Sequence, residues 1–115
     1  MKIEIYHKEN KFSIKAVINH EKIAASLGHR LRPTIEILFG KPSYEYYLMK
    51  ETQLTSLFVP LNFSIWQARN GKTYVSYWYP KRNIAHIYHF KSKEAQHAIT
   101  AISHAMDIMT KMATQ

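Results

Sequence analysis

Phe63-Ser64-Ile65-Trp66-Gln67-Ala68-Arg69-Asn70-Gly71-Lys72-Thr73-Tyr74-Val75-Ser76-Tyr77-Trp78-Tyr79 is the stretch on which the fold turns. Two runs rich in β-branched and aromatic residues flank Asn70-Gly71, and those two residues accept the positive φ angles of a type I′ hairpin turn. With Asn70 and Gly71 as a two-residue loop, Arg69 faces Lys72, Trp66 faces Val75 and Phe63 faces Trp78. One face then carries Phe63, Ile65, Tyr74 and Trp78, and the other carries Trp66, Val75, Tyr77 and Tyr79. An antiparallel sheet with one wet face alternates apolar with polar residues. Here both faces are aromatic, so a partner subunit or a ligand is expected to cover the outer one.

Towards the C-terminus, Ser92 reads as a helix cap, with Glu94 in the first turn where the helix dipole favours an anion. Ala95, Ala98, Ile99, Ile102, Ala105, Met106, Met109 and Met112 then form one apolar stripe at helical spacing. The stripe predicts a helix from Ser92 to Met112 packed on the hairpin's sheet. Its methionines and alanines read as packed core rather than as a cofactor groove.

Towards the N-terminus, Lys2 to His7 reads as a short strand and Lys8-Glu9-Asn10 as a turn. Phe12, Ile14, Ala16 and Ile18 alternate as in a strand. Asn19 is placed to cap a short helix, His20 to Leu27, that stops at Gly28. Thr34 to Phe39 reads as a strand ended by Gly40 and Pro42, and Ser43 to Glu51 as a second short helix capped by Ser43.

The chain has 115 residues, 46% hydrophobic and 21% charged, and is read as one domain spanning 1–115 with a real core. Apolar runs are far shorter than the roughly 20 residues that span a bilayer, so no membrane partner is expected. Met1-Lys2-Ile3-Glu4 opens without an apolar h-region, so a cytoplasmic location is expected. The chain has no cysteine, which excludes disulfides, thiolate metal sites and cysteine nucleophiles. Net charge is +8, from 16 Lys and Arg against 8 Asp and Glu, spread along the chain without a basic tail. Such a balance suits nucleic acid or another polyanion as a partner, and it suits an ordinary basic soluble protein as well.

A series of short pieces runs through the middle of the chain in a fixed order: Asn19-His20, Leu31-Arg32-Pro33-Thr34, Phe39-Gly40-Lys41-Pro42, Leu48-Met49, Val59-Pro60-Leu61, the Gly71 turn, and Tyr77 to Pro80. Followed by the closing helix, it resembles the bacterial family called domain of unknown function 302. The resemblance covers roughly Phe12 to Met112. It implies an α+β fold, a two-layer α/β sandwich with a mainly antiparallel sheet and the long C-terminal helix packed on one face. It also implies pairing as a homodimer. Relatives usually carry a strand and a long helix before the segment that starts here at Phe12, an Asp at the position of Asn19, and an Arg-His pair near Tyr88-His89.

Candidate chemistry is sparse. His86 and His89 have a spacing that a helix uses for two ligands, but no glutamates accompany them. His97 and His104 share a helix face at about 10 Å, too far for one ion, so no metal site is assigned. Carboxylates are few, and the only Asp, Asp107, is read as solvated in the last helix. His20, Arg32 and Thr34 flank the first short helix and the next strand. A His base, an Arg anion clamp and a hydroxyl suit anion binding or hydrolysis. Arg32 is expected to be buried and to serve backbone carbonyls, with His20 beside it at the rim of a cleft. No Gly-rich phosphate loop exists among three glycines.

The leading reading is a homodimeric protein that binds a small, anionic ligand or a partner and is not an enzyme. Its candidate binding residues are His20, Arg32, Thr34, Tyr77 and His89, with no catalytic residue assigned and the cofactor left unknown. The alternatives are a small hydrolase or isomerase built on His20, Arg32 and Thr34, and, less favoured, a single-stranded nucleic-acid binder. The last would use Tyr74, Tyr77, Trp78 and Tyr79 with Lys72, Lys81 and Arg82.

Overall fold

The computed structural model describes residues 12–114. The expected strand at Lys2 to His7 and the turn after it lie outside the described residues. Four strands, β1 (Ser13–Asn19), β2 (Thr34–Gly40), β3 (Leu61–Gln67) and β4 (Thr73–Tyr77), form one sheet in the order β1-β2-β3-β4, every pair antiparallel. Helix α1 (His20–Ser26) joins β1 to β2. Helix α2 (Pro42–Glu51) and a 3-10 turn (Gln53–Leu57) join β2 to β3. Helices α3 (Pro80–Ala85) and α4 (Lys93–Thr114) follow β4. Among the described residues no helix is long and apolar enough to cross a membrane.

The expected two-layer α+β fold is present. Ala95, Ala98, Ile99, Ile102, Ala105, Met106 and Met109 of α4 are buried against Ile37, Phe39, Leu61 and Phe63 of the sheet, together with Leu48 and Ile84. Phe12, Phe39 and Phe63 form a row of tilted rings 5.9 and 5.2 Å apart through this core. Truncating a buried ring of this kind costs about 3–5 kcal/mol. Ser92 caps α4 as read, its Oγ accepting the Ala95 N–H at 3.1 Å.

The hairpin differs from its expected register. Ala68 N–H donates to the Lys72 carbonyl at 2.8 Å, and Gly71 N–H donates to the Ala68 carbonyl at 2.9 Å. The loop therefore holds three residues, Arg69, Asn70 and Gly71, with Gly71 at φ +85°. This is a type I turn closed by a glycine bulge rather than a two-residue turn. Trp66 now faces Tyr74, Ile65 faces Val75 and Phe63 faces Tyr77. A shift of one residue moves one strand's side chains to the other face. Phe63, Ile65, Val75 and Tyr77 face the helices, while Ser64, Trp66, Tyr74 and Ser76 face away. The outer face is thus mixed polar and aromatic.

Three smaller expectations also change. In β1 the register slips between Ile14 and Ala16, so Lys15 is bulged. Phe12 and Ile14 point to the core, and Ala16 and Ile18 point to the outer face. Helix α2 starts after Lys41 with Pro42 in its first turn, so Ser43 is not its cap. Asp107 is half-buried and accepts the Tyr77 hydroxyl at 3.3 Å instead of facing water. Helix α1 is built as expected. Asn19 accepts the Lys22 N–H, and the paired bonds Gly28 N–H to Ala25 and His29 N–H to Ala24 close a Schellman motif with Gly28 at φ +82°.

Candidate functional site

The outer face of the sheet carries the polar chemistry. Alternation along β2 puts Thr34, Glu36 and Leu38 on this face. In β3, Trp66, Ser64 and Asn62 stand opposite them in turn. Glu36 interrupts an otherwise apolar strand and is half-buried. His20 comes off the end of β1 as the first residue of α1, and its Nε2 lies 2.8 Å from Glu36 Oε1. Asn62 Nδ2 donates to the other carboxylate oxygen. The carboxylate is held from both sides by residues far apart in the chain.

Asn62 also borders a cleft of about 670 Å³ at the end of the sheet where β3 begins and β4 ends. Leu38, Val59, Leu61, Ile84 and Trp78 supply its apolar wall. The rim is unusually greasy: Leu57 is 76% exposed and Trp78 74% exposed, with Ile87 beside them. The size falls within the range of small-molecule pockets, which are mostly apolar with a few placed polar groups. Asn62 is such a group, and it links the cleft to Glu36 and His20.

The five expected binding residues do not converge. His20 is partly exposed and pairs with Glu36, not with Arg32. Arg32 is exposed, contrary to expectation, because the whole loop from His29 to Pro33 lies in solvent. It does serve a backbone carbonyl, its Nε donating to Gln67 O at 3.1 Å. Thr34 turns its hydroxyl to the Arg32 carbonyl at 2.9 Å. Tyr77 lies on the helix side of the sheet. His89 is exposed and lines a separate hollow of about 360 Å³ with Lys81 and Tyr88. Helix α3 ends at Ala85, so His86 and His89 share no helix face. Among the described residues no group of three or more His, Asp or Glu side chains gathers for a metal ion.

Sequence reasoning missed Glu36 and Asn62. The available signal was a charged residue at the centre of a β-branched strand, where it needs a partner if half-buried. The aromatic platform and its basic flank are only partly reproduced. Trp66 stacks on Tyr74 at 5.1 Å, while Lys81 and Arg82 belong to α3.

A family model described as "Domain of unknown function DUF302" matches residues 2–109. The fold is similar to the crystal structure of an uncharacterized conserved protein DUF302 from Bacillus stearothermophilus. The TM-score is 0.77 at 14% sequence identity, over 96% of this chain and 84% of that one. Comparison with curated proteins gives no match.

Proposed function

We propose a function for this chain, which belongs to the family of domains of unknown function DUF302: it is a binding protein for a small amphipathic molecule, and not a catalyst. The cleft of about 670 Å³ beside Asn62 carries this reading. A ligand's apolar body would rest on Leu38, Leu61 and Trp78, and its polar group would meet Asn62 at the end of the Asn62–Glu36–His20 chain. Binding rather than catalysis is supported by the order of the polar groups. Ser64 stands across from Glu36, on the acid's side of the pair, whereas a triad needs its hydroxyl on the imidazole's far side.

A second reading rests on the rim. Leu57, Trp78 and Ile87 are exposed together, and a second copy of the chain would cover them. Native mass spectrometry of the purified chain tests both. A small molecule retained on the chain, and lost in Trp78→Ser, supports the ligand reading. A doubled mass reduced to the monomer by Leu57→Ser supports self-association. A bare monomer that stays folded overturns both. We propose a cytoplasmic location for the protein.

A further inference from the structure

The opposite end of the outer face gathers positive charge that the apolar cleft does not use. Arg30 and Arg32 lie in the loop between α1 and β2, Arg69 and Lys72 at the hairpin tip, and Lys22 on α1, all exposed. Segments 20–33 and 67–73 hold these five cations against one carboxylate, Glu21. Hydrogen bonds tie the two loops together. Gln67 N–H donates to the Pro33 carbonyl at 2.9 Å, and Arg32 Nε donates to the Gln67 carbonyl at 3.1 Å. The second bond fixes the plane of the Arg32 guanidinium and leaves its two Nη groups for an anion. A cleft of about 500 Å³ opens here, lined by Glu21, Ala25, His29, Arg30, Arg32 and Gln67.

Exposed aromatic surface adjoins this charge. Trp66 precedes Gln67 and stacks on Tyr74 across the strand pair, the rings 5.1 Å apart and 28° from parallel. The indole N–H is held by Ser76 Oγ at 2.9 Å, so the pair has a fixed orientation. Tyr74 remains 41% exposed, which leaves ring surface for a third ring.

We propose that this end of the outer face binds single-stranded nucleic acid. Its phosphates lie on Arg30, Arg32, Arg69 and Lys72, and a base stacks against the Trp66–Tyr74 pair. Charge complementarity selects a polyanion, and the fixed ring pair selects one that carries planar rings. Free phosphate has the charge without the rings, and an anionic membrane offers no ring to stack. Glu21 is the carboxylate within the two basic segments, and Glu36 on the outer face is already held by His20 and Asn62, so the site favours an extended strand that runs along the arginines and away from both.

The test uses fluorescence anisotropy of a labelled oligothymidylate 12-mer against the full chain. About four phosphate contacts on a single strand give a salt slope near −3, so affinity should fall on the order of fifty-fold from 50 to 200 mM salt. Tyr74→Ser should weaken binding about tenfold at fixed salt, since stacking on one ring is lost. Arg30→Gln combined with Arg69→Gln changes two exposed side chains, so it tests the site even if the Tyr74 variant folds poorly. It should weaken binding and flatten the salt slope by about 1 to 2. No binding at 50 mM salt overturns the proposal. So does binding that Tyr74→Ser leaves unchanged and that phosphatidylserine vesicles compete away equally well, which would make this a membrane-facing charge patch. Full competition by millimolar inorganic phosphate without any effect of Tyr74→Ser would reduce the site to a phosphate pocket and also overturn it.

Discussion

Glu45 is the residue whose surroundings conflict most with its chemistry. It is 7% exposed, and its Oε2 has no hydrogen-bond partner in the protein. Burial pushes its carboxyl above the usual 4.5, with the charge of Lys15 and the Lys41 backbone pulling the other way. A raised folded value means that the native state prefers the protonated acid. The resulting stability is full below 4.5 and is lost as pH rises through the folded value. Glu45→Gln should therefore gain more stability over the wild type at pH 7 than at pH 4, as read by urea titration at both. Gly40 lies directly against this carboxylate, where a Cβ would overlap Oε2. Gly40→Ala should cost about 1–3 kcal/mol as an overpacking change, and adding Glu45→Ala should return much of it. From the sequence, Gly40 was legible only as a strand end. Its second role depends on a side chain that folds back from α2, and no local pattern encodes that.

At the scale of elements, the two strongest sequence patterns lead to the right elements and, in one case, the wrong register. Asn-Gly marks a hairpin, but Gly serves equally as the second loop residue of a two-residue turn and as the left-handed third residue of a longer one. The backbone chooses the three-residue loop, which sends Val75 and Tyr77 inward and Trp66 and Tyr74 outward. Gly71→Ala should cost about 1–2 kcal/mol, because only glycine takes φ +85° without strain, and thermal melts would register it. The stripe of α4 was legible because its period is local. The clamp that seats the start of α4 was not. Glu51, at the end of α2, accepts the Lys91 and Ser92 N–H groups at 2.8 Å and the Ser92 hydroxyl at 2.7 Å, along with the Tyr88 hydroxyl. The Lys91 amide and these further donors hold its carboxyl below 4.5. The stability it adds is present above 4.5 and is lost as pH falls through the lower folded value. Glu51→Gln should thus lower the melting temperature at pH 7, and the gap should close in strong acid.

Across the whole molecule, stability is unevenly distributed, and its weak part borders the basic cleft. Strands β2 and β3 are bonded on both sides, and α4 buries one whole stripe, Ala95 to Met109, in the core. Helix α1 has seven residues and none is buried. It is held by its Asn19 cap, its Gly28 end and the His20–Glu36 contact, each worth about 1 kcal/mol or less at an exposed site. Such an element opens without global unfolding. The outer face was illegible in the sequence for a related reason. His20, Glu36 and Asn62 meet across separations of 16 and 26 residues, which neither spacing nor periodicity records. Native-state hydrogen exchange in rising urea should separate the layers. Amides of β2, β3 and α4 should exchange only through the global, urea-sensitive opening, while those of α1 should exchange through a small opening that urea hardly changes. His20→Ala should speed α1 exchange several-fold and leave the core amides unmoved. Core-like, urea-dependent protection of α1 would show that some other contact holds the helix down. In the expected case, Glu21 and Ala25 in the wall of the basic cleft, and His20 above Glu36, sit on a segment free to adjust. A ligand in the basic cleft would then slow α1 exchange before it changed any core amide.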